Sequence, residues 1–340
     1  MVNKVTKIQD VAKVAGVSTA TVSRALSNPE LLSKATREVV NDAIRSTGYR
    51  VNHTARNLRK QRTGAVMILV PNLGNPFFSQ ILAGLSEVLS NSEYSVLITD
   101  SSERRQKGKL LDYFQDAQVD GIVSLDGNLS QEELARLDPG QSGSGLVFAC
   151  EWIRDAPYPS VRSDNKDGAR LAMRHLYALG HRDIAHITGT EGNVLTEVRR
   201  DGMIAERQNL GLSMQDDWVI RGDFSLQSGF EAAARIADMK HRPTAVFCAS
   251  DQVAFGLVTG LKQAGLSVPE DMSVVGFDDI ELAAFYDPAL TTIRQDRHAL
   301  GVRAANLLLD RLADPAAHQD PKVEQVDVSL VVRDSCRARP

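Results

Sequence analysis

The sequence predicts an α/β protein in two parts. A small all-α head with a helix-turn-helix lies at the N-terminus, and a two-lobed core with parallel, doubly wound sheets follows it. The first 64 residues carry 12 Lys and Arg against 4 Asp and Glu, a net charge of +8, whereas the remainder carries −12. Three short helical patterns fill the basic part. From Ala65 onward, short apolar runs alternate with helical stretches, which is typical of parallel sheets.

Caps and apolar spacing define the three helices of the head. Thr6 and Gln9 have the spacing of a capping box, and Ser18 and Ser33 are expected to cap the second and third helices. Glycines end the first and third helices. The side chains expected to face inward are Ile8, Val11, Ala12, Ala15, Val22, Ala25, Leu26, Val39, Val40, Ala43 and Ile44.

Residues 51–64 differ from the head in character. Between Asn52 and Lys60 the segment is polar and basic, and Leu58 is its single large apolar residue. Such a short stretch cannot hold a helix in water alone. An ordinary flexible linker is therefore one interpretation of this segment.

The core sequence predicts strands and helices in alternation. The predicted strands are Ala65–Val70, Ser95–Thr99, Gly121–Leu125, Gly145–Cys150, Ile184–Thr188, Ala245–Ala249 and Ser273–Phe277. The predicted helices include Phe78–Ser90, Gly168–Gly180, Ser228–Met239 and Val253–Ala264. The number of strands indicates two lobes, and parallel sheets of this kind hold ligands at the carboxyl ends of their strands.

The composition excludes several classes of protein. The three cysteines lack metal-ligand spacing, and Cys150 and Cys248 lie in apolar runs, so we expect buried thiols in a reducing compartment. The N-terminal residues show no apolar signal sequence. No run approaches the roughly 20 apolar residues of a membrane helix. We therefore expect a cytoplasmic protein without a membrane partner.

Enzyme motifs are weak or absent. Gly189–Gly192 follows a strand but lacks the third glycine of a dinucleotide fingerprint. His175, His181 and His186 do not align on one helix face, so we predict no metal site and no cofactor. Two alternatives to a DNA-binding regulator are an oxidoreductase, which a flat NAD titration would exclude, and a solute-binding protein. The basic head and the missing signal sequence disfavour the latter.

Motifs along the whole chain resemble the lactose/galactose repressor (LacI/GalR) family of transcription regulators. They are Ile8–Ala12, Val17–Arg24, Gly48–Tyr49, Ala55–Leu58, Asn75–Phe78, Leu179–His181, Ala249–Asp251, Val268–Asp279 and Leu290–Ile293. Arg221–Phe224 and Thr244–Cys248 resemble the cytidine-repressor branch of that family.

The resemblance implies a domain organisation. It gives a helix-turn-helix head at 1–50, a hinge helix and linker at 51–64, and an effector-binding, dimerising core at 65–340 that is similar to periplasmic binding proteins. With three crossings between lobes, lobe one would span about 65–163 and 293–323, and lobe two about 164–290 and 324–340. The implied assembly is a homodimer on a near-palindromic DNA operator. No leucine heptad follows the core, so we expect no tetramer.

The resemblance places the second helix of the head in the major groove of DNA. Arg24 would bridge a guanine, the Ala20 methyl would meet a thymine methyl, and Ser18 and Thr21 would contact phosphates. For Arg24 a surface salt bridge is the alternative, and for Thr21 simple capping. The predicted DNA-binding residues are Ser18, Thr19, Ala20, Thr21, Ser23, Arg24, Asn52, Ala55, Arg56, Leu58 and Arg59.

For the hinge, the resemblance assigns Leu58 a wedge role in the minor groove, where insertion kinks the duplex. Ala55 would allow close approach of two backbones, and Arg56 and Arg59 would meet phosphates. A plain linker remains the alternative.

The resemblance also places a small-molecule effector between the lobes. The predicted contact residues are Asn75, Phe77, Phe78, Glu151, Arg199, Phe224, Ser250, Asp278 and Gln295. Arg199 and Asp278 would grip neighbouring ring hydroxyls. The alternatives are a core role for Phe77, a helix cap for Asp278, and a local ion pair of Arg199 with Glu197 or Asp201. The resulting hypothesis is a sequence-specific transcriptional regulator, a repressor, controlled by a sugar or a sugar-containing molecule such as a nucleoside.

Overall fold

The computed structural model describes residues 6–49, 62–102, 119–137, 145–213, 215–315 and 320–339. The chain divides into two units, Met1–Thr63 and Gly64–Pro340. In the described part of the chain, no helix has the length and apolar character needed to cross a membrane.

The first unit contains three helices around a small apolar core. They are α1 (Ile8–Ala15), α2 (Thr19–Ser27) and α3 (Lys34–Thr47). The predicted caps form: the Ser18 hydroxyl accepts a hydrogen bond from the Thr21 amide at 3.1 Å, and Gly16 adopts a left-handed φ of 65° after α1. Val11, Val22 and Val40 are fully buried between the helices.

Two details of the head differ from the sequence-based expectation. The Thr6–Gln9 capping box does not form, because the Thr6 hydroxyl donates to the Thr47 carbonyl and Asp10 accepts from the Lys7 amide instead. Val39, expected to face inward, is 48% exposed. It lies about 100° around the helix from the buried Val40, so only one of the two can point into the core.

Each lobe of the second unit contains one sheet. The strands of sheet one are β1 (Ala65–Val70), β2 (Ser95–Asp100), β3 (Gly121–Ser124), β4 (Leu146–Ala149), β5 (Ser160–Ser163) and β11 (Val323–Val326). The strands of sheet two are β6 (Ile184–Ile187), β7 (Val219–Ile220), β8 (Ala245–Cys248), β9 (Ser273–Asp278), β10 (Thr291–Gln295) and β12 (Val328–Val331).

The two sheets have the same topology. Sheet one runs β2-β1-β3-β4-β5-β11 with parallel neighbours, and sheet two runs β7-β6-β8-β9-β10-β12. In sheet two the edge strand β12 is antiparallel to β10, whereas the other neighbours are parallel. Both sheets are doubly wound, so the loops at their carboxyl ends are available to form a ligand site.

The helices of the core cover the two sheets. They are α4 (Phe78–Leu89), α5 (Gln131–Leu137), α6 (Asn165–Ala178), α7 (Val194–Asn209), α8 (Leu226–Ala237), α9 (Asp251–Gln263) and α10 (Arg297–Ala313). Helices α4 and α10 pack closely in lobe one, where a Cβ on Gly84 would lie 2.2 Å from the His298 carbonyl oxygen. In lobe two, a Cβ on Gly256 of α9 would lie 1.9 Å from the Leu226 carbonyl oxygen of α8.

The chain passes between the sheets after β5, after β10 and after β11. Strand β10 lies in sheet two, so the second crossing comes after Gln295 rather than between 290 and 293 as the sequence resemblance implied. The segment 324–332, predicted as one strand, is divided at Asp327 into β11 of sheet one and β12 of sheet two. Its alternating pattern continues through Asp327, so periodicity alone could not show that the pairing partner changes.

Candidate functional site

Helix α2 presents a polar face opposite its buried one. Thr19, Ala20 and Arg24 are exposed, whereas Val22 and Ala25 pack into the head. Ser23 is exposed on the same side as Arg24. The spacing of these residues leaves one helix face free to meet a DNA groove, which is the arrangement of a recognition helix.

Ser18 and Thr21 have a local structural role at the start of α2. The Ser18 hydroxyl caps the helix and lies 2.9 Å from the Thr21 hydroxyl. Both residues nevertheless lie at the helix N-terminus, where backbone amides favour a phosphate. The predicted hinge contacts Asn52, Ala55, Arg56, Leu58 and Arg59 lie outside the described residues.

A cavity of about 280 Å³ opens in the core at the carboxyl ends of both sheets. Its lining residues are Pro71, Asn72, Asn75, Phe77, Phe78, Ser102, Asp126, Asn128, Glu151, Thr190, Asn193, Leu195, Arg199, Asp223, Phe224, Ser225, Ser250, Gln252 and Asp278. Residues from both lobes contribute, so a ligand in this cleft would contact both at once. Of the predicted effector residues, Gln295 alone does not line it.

Arg199 lies on α7 at the base of the cleft and is 2% exposed. Its Nε donates to Asn165 Oδ1 at 2.9 Å, and one Nη donates to the Ala249 carbonyl. The same Nη lies 3.6 Å from Asp278 Oδ1, and the guanidinium is 3.8 Å from the Phe277 ring centroid. These contacts fix the guanidinium in the cleft wall and exclude the alternative pairing with Glu197, which pairs with Arg154 instead.

Asp278 ends β9 with a left-handed φ of 118°. It does not cap a helix, since the following turn Glu281–Ala284 has no side-chain cap. Gln295 Nε2 donates to Asp278 Oδ1 at 2.7 Å, so Gln295 orients this carboxylate from behind the cleft. Burial raises the pKa of Asp278 to about 6, although Arg199, Arg297 and Gln295 oppose the shift.

Glu151 follows β4 and is also buried, at 8% exposure. Its Oε2 accepts from the Gly127 amide at 3.0 Å, and Asn193 supplies a second hydrogen bond. Burial, helped by the nearby carboxylate of Asp126, raises the pKa of Glu151 to about 7. This side chain can therefore act as a donor when neutral and as an acceptor when ionised.

Aromatic rings form the apolar walls. The Phe77 and Phe78 rings meet edge to face, with centroids 5.1 Å apart, and both are 6% exposed. Phe224 adopts a left-handed φ of 68°, and a Cβ on Gly189 would lie 2.0 Å from its ring. Gly189 is thus required to admit the Phe224 ring. The Ser250 hydroxyl caps α9 through the Val253 amide.

Sequence analysis missed several polar residues of the cleft. Asp126 follows β3, and its Oδ2 accepts from the Ser101 hydroxyl at 2.5 Å. Asn193 caps α7 through the Leu195 amide at 2.9 Å. Both positions follow a strand in the same way as the predicted residues, so the rule that ligands bind beyond the carboxyl ends of strands could have found them.

The histidines have structural roles. His186 Nδ1 is 2.9 Å from the Phe247 carbonyl oxygen, its ring stacks on Phe247, and burial lowers its pKa to about 4. His181 lies between the hydroxyls of Thr244 and Ser273, 2.9 Å from each. Among the described residues there is no cluster of three or more His, Cys, Asp or Glu that could hold a metal ion.

A helix-turn-helix unit joined to a two-lobed core with a polar interlobe cleft defines the class of ligand-controlled, DNA-binding transcription regulators. Comparison with protein families agrees. Residues 7–52 match the bacterial regulatory proteins of the lacI family, and residues 173–336 match a periplasmic binding protein-like domain.

Curated relatives cover the whole chain. The HTH-type transcriptional repressor CytR of Escherichia coli (strain K12) is 38% identical over 338 residues, which are 98% of this chain and 97% of that protein. The HTH-type transcriptional repressor PurR of Actinobacillus pleuropneumoniae serotype 3 (strain JL03) is 32% identical over 333 residues, 97% of this chain and 98% of that protein. The chain therefore belongs to the LacI family of bacterial regulatory proteins.

Solved structures show the same fold. The Lac repressor dimer bound to operator and the anti-inducer ONPF aligns with a TM-score of 0.82 at 28% identity, covering 98% of this chain and 100% of that one. A LacI family regulator from Enterococcus faecium with bound ribose aligns with a TM-score of 0.71 at 29% identity, covering 81% and 100%. The predicted family and fold class are confirmed, and the relatives are regulators rather than enzymes.

Proposed function

We propose that this protein is a cytoplasmic, homodimeric repressor whose affinity for a near-palindromic operator is set by a sugar, or a sugar-containing molecule such as a nucleoside, bound in the interlobe cleft. The observation that carries the proposal is the lining of the cavity. Arg199, Asp278 and Glu151 supply donors and acceptors for hydroxyl groups, and Phe77 and Phe224 supply faces for a ring.

The relatives support this effector class. One LacI family structure contains ribose, and that of the regulator CelR contains cellobiose and aligns with a TM-score of 0.73 at 28% identity over 97% of this chain and 99% of that one. The cleft residues proposed to bind the effector are Asn75, Phe77, Phe78, Glu151, Arg199, Phe224, Ser250 and Asp278. Gln295 acts through Asp278.

On the DNA side, Thr19, Ala20, Ser23 and Arg24 of α2 are proposed to contact base edges or the adjacent backbone, with Ser18 and Thr21 near a phosphate. Ligand contacts that reach both lobes favour one interlobe angle over others. In a dimer, that angle sets the spacing of the two segments 51–64, and hence of the two heads on the operator.

The test is a thermal-shift screen of sugars and nucleosides on the full chain, followed by operator binding with each compound that stabilises it. The operator is selected from a random duplex library. We expect at least one compound to raise the melting temperature and to change the operator Kd. Compounds that stabilise the protein while leaving the operator Kd unchanged would contradict effector control.

A further inference from the structure

Arg297 is the first residue of α10, immediately after the second crossing, and it is 9% exposed. Its backbone belongs to lobe one, because α10 packs against α4 through the close Gly84–His298 and Gly301–Ile81 contacts. Its guanidinium does not line the effector cavity among the described residues. It lies behind the cleft wall.

The guanidinium of Arg297 bonds to both lobes. Nη1 donates to the Phe77 carbonyl of lobe one at 3.3 Å, and Nη2 donates to the Asp279 carbonyl of lobe two at 3.1 Å. Phe77 lines the cleft, and Asp279 directly follows the cleft residue Asp278. One planar, forked donor thus joins the backbones beneath two opposite walls of the effector site.

The lobe-two end of this bridge is a strained turn. Asp278 and Asp279 have φ values of 118° and 51°, which non-glycine residues rarely adopt. Arg294 and Arg333 hold the Asp279 carboxylate at 2.6 and 2.7 Å, respectively. Asp251 Oδ2 accepts from the Ile280 amide at 2.8 Å. Such a conformation persists only while its neighbours hold it, and Arg297 is the neighbour described here that ties it to the other lobe.

We infer that Arg297 is a positioning residue that couples effector binding to the interlobe angle, by holding the Phe77 and Asp279 backbones in a fixed relation across the cleft. The inference rests on the proposed effector control. It assigns to Arg297 a step that the cleft residues do not perform. An effector that moves Phe77 or Asp278 must stretch or shorten this bridge, so the change reaches the lobes as a rotation.

The first measurement is the coupling ratio, the operator Kd at saturating effector compared with the operator Kd without effector. Arg297→Met keeps the length of the side chain and removes the donors. We expect its ratio to move at least fivefold towards unity. Arg297→Lys keeps the charge but cannot bridge both carbonyls in the same fork, so it should give an intermediate ratio. The effector is the compound from the thermal-shift screen that changes operator binding.

Arg333→Met is the matched control. Arg333 also loses contacts to Asp279 and to a carbonyl, that of Leu290, but all of them lie within lobe two. A merely structural role predicts that both substitutions lower the melting temperature and leave the ratio unchanged. If Arg297→Met keeps the wild-type ratio, or if Arg333→Met loses as much coupling, the inference is wrong.

A second measurement does not need an effector. Hydrogen–deuterium exchange should become faster in Arg297→Met at Phe78 and Ile280 together, because both ends of the bridge are released. In Arg333→Met, only the Ile280 side should change. Faster exchange confined to lobe two in Arg297→Met would overturn the bridge even if effector control holds. If the wild type shows no coupling, the proposed function fails, and the exchange pattern still decides the role of Arg297.

Discussion

At the scale of single residues, Arg24 is the candidate for base recognition. It is exposed on the face of α2 opposite the buried Val22. We expect Arg24→Ala to lose operator preference, since a bidentate base contact is worth about 1–3 kcal/mol of discrimination. Band-shift assays with operator and scrambled duplex measure the specificity ratio. Lys13→Ala removes the same charge from an exposed position on α1 and should lower both affinities equally. An unchanged ratio in Arg24→Ala would exclude base contact.

The pair Arg199–Asp278 belongs to the effector site at the same scale. We expect Arg199→Ala and Asp278→Asn to weaken effector binding roughly 10- to 100-fold, because a hydrogen bond to a charged group contributes about 1.5–3 kcal/mol. Operator binding without effector should remain. Calorimetry measures the affinity, and circular dichroism checks the fold. Wild-type effector affinity in both variants would show that the ligand binds elsewhere.

Glu151 makes a prediction about pH. Its folded pKa of about 7 lies above its ordinary value of 4.5, so folding favours the neutral form. That stabilisation is fully present below pH 4.5 and is lost as the pH rises through 7. Glu151→Gln stays neutral, so relative to wild type its free energy of unfolding should increase from pH 4.5 to 8.

Urea unfolding at several pH values measures this difference. Glu197→Gln is the control, because Glu197 is a surface residue paired with Arg154. A difference between wild type and Glu151→Gln that stays constant over this range would show that Glu151 is ionised throughout.

Most of the cleft residues could be predicted because their motifs mark loops that follow strands. Gln295 was assigned to the ligand from the resemblance, yet its amide reaches Asp278 instead. Sequence cannot distinguish direct contact from contact through another side chain, because both positions carry the same polar residue at the same strand end.

At the scale of secondary structure, apolar strands were predicted and polar ones were missed. Strand β10 has the sequence TTIRQ and β5 the sequence SVRS. Their hydroxyl groups are buried with partners: Thr292 donates to Asp251, and the Thr291 hydroxyl accepts from the Arg333 amide. A strand whose polar groups are satisfied by distant residues carries no apolar signal of its own.

The contact between α4 and α10 gives a prediction for this scale. Gly84 has no room for a methyl group, since its Cβ would meet the backbone of His298 and Val302 at 2.2 and 2.9 Å. We expect Gly84→Ala to destabilise the protein by about 1–3 kcal/mol through overpacking. Ser86→Ala, at an exposed position of the same helix, should change stability by only a few tenths of that. Equal urea midpoints for the two variants would mean that the helices separate without cost.

At the scale of the whole molecule, charge is divided between the two units. The first 64 residues carry +8 and the remainder −12. We expect binding to scrambled DNA to weaken steeply between 50 and 200 mM salt, about 10³-fold or more if six phosphates are neutralised. Fluorescence anisotropy on a labelled duplex measures the slope. A flat salt dependence would show that the basic residues do not contact the phosphate backbone.

The division of residues 323–331 between the sheets has a consequence for biosynthesis. This one segment borders β5 in sheet one and β10 in sheet two, and it follows all the other described strands in the chain. Until the ribosome has made it, both sheets expose an unpaired edge, which is a template for pairing with other chains. The two lobes are therefore completed together, and a chain released before residue 323 would aggregate rather than retain one finished lobe.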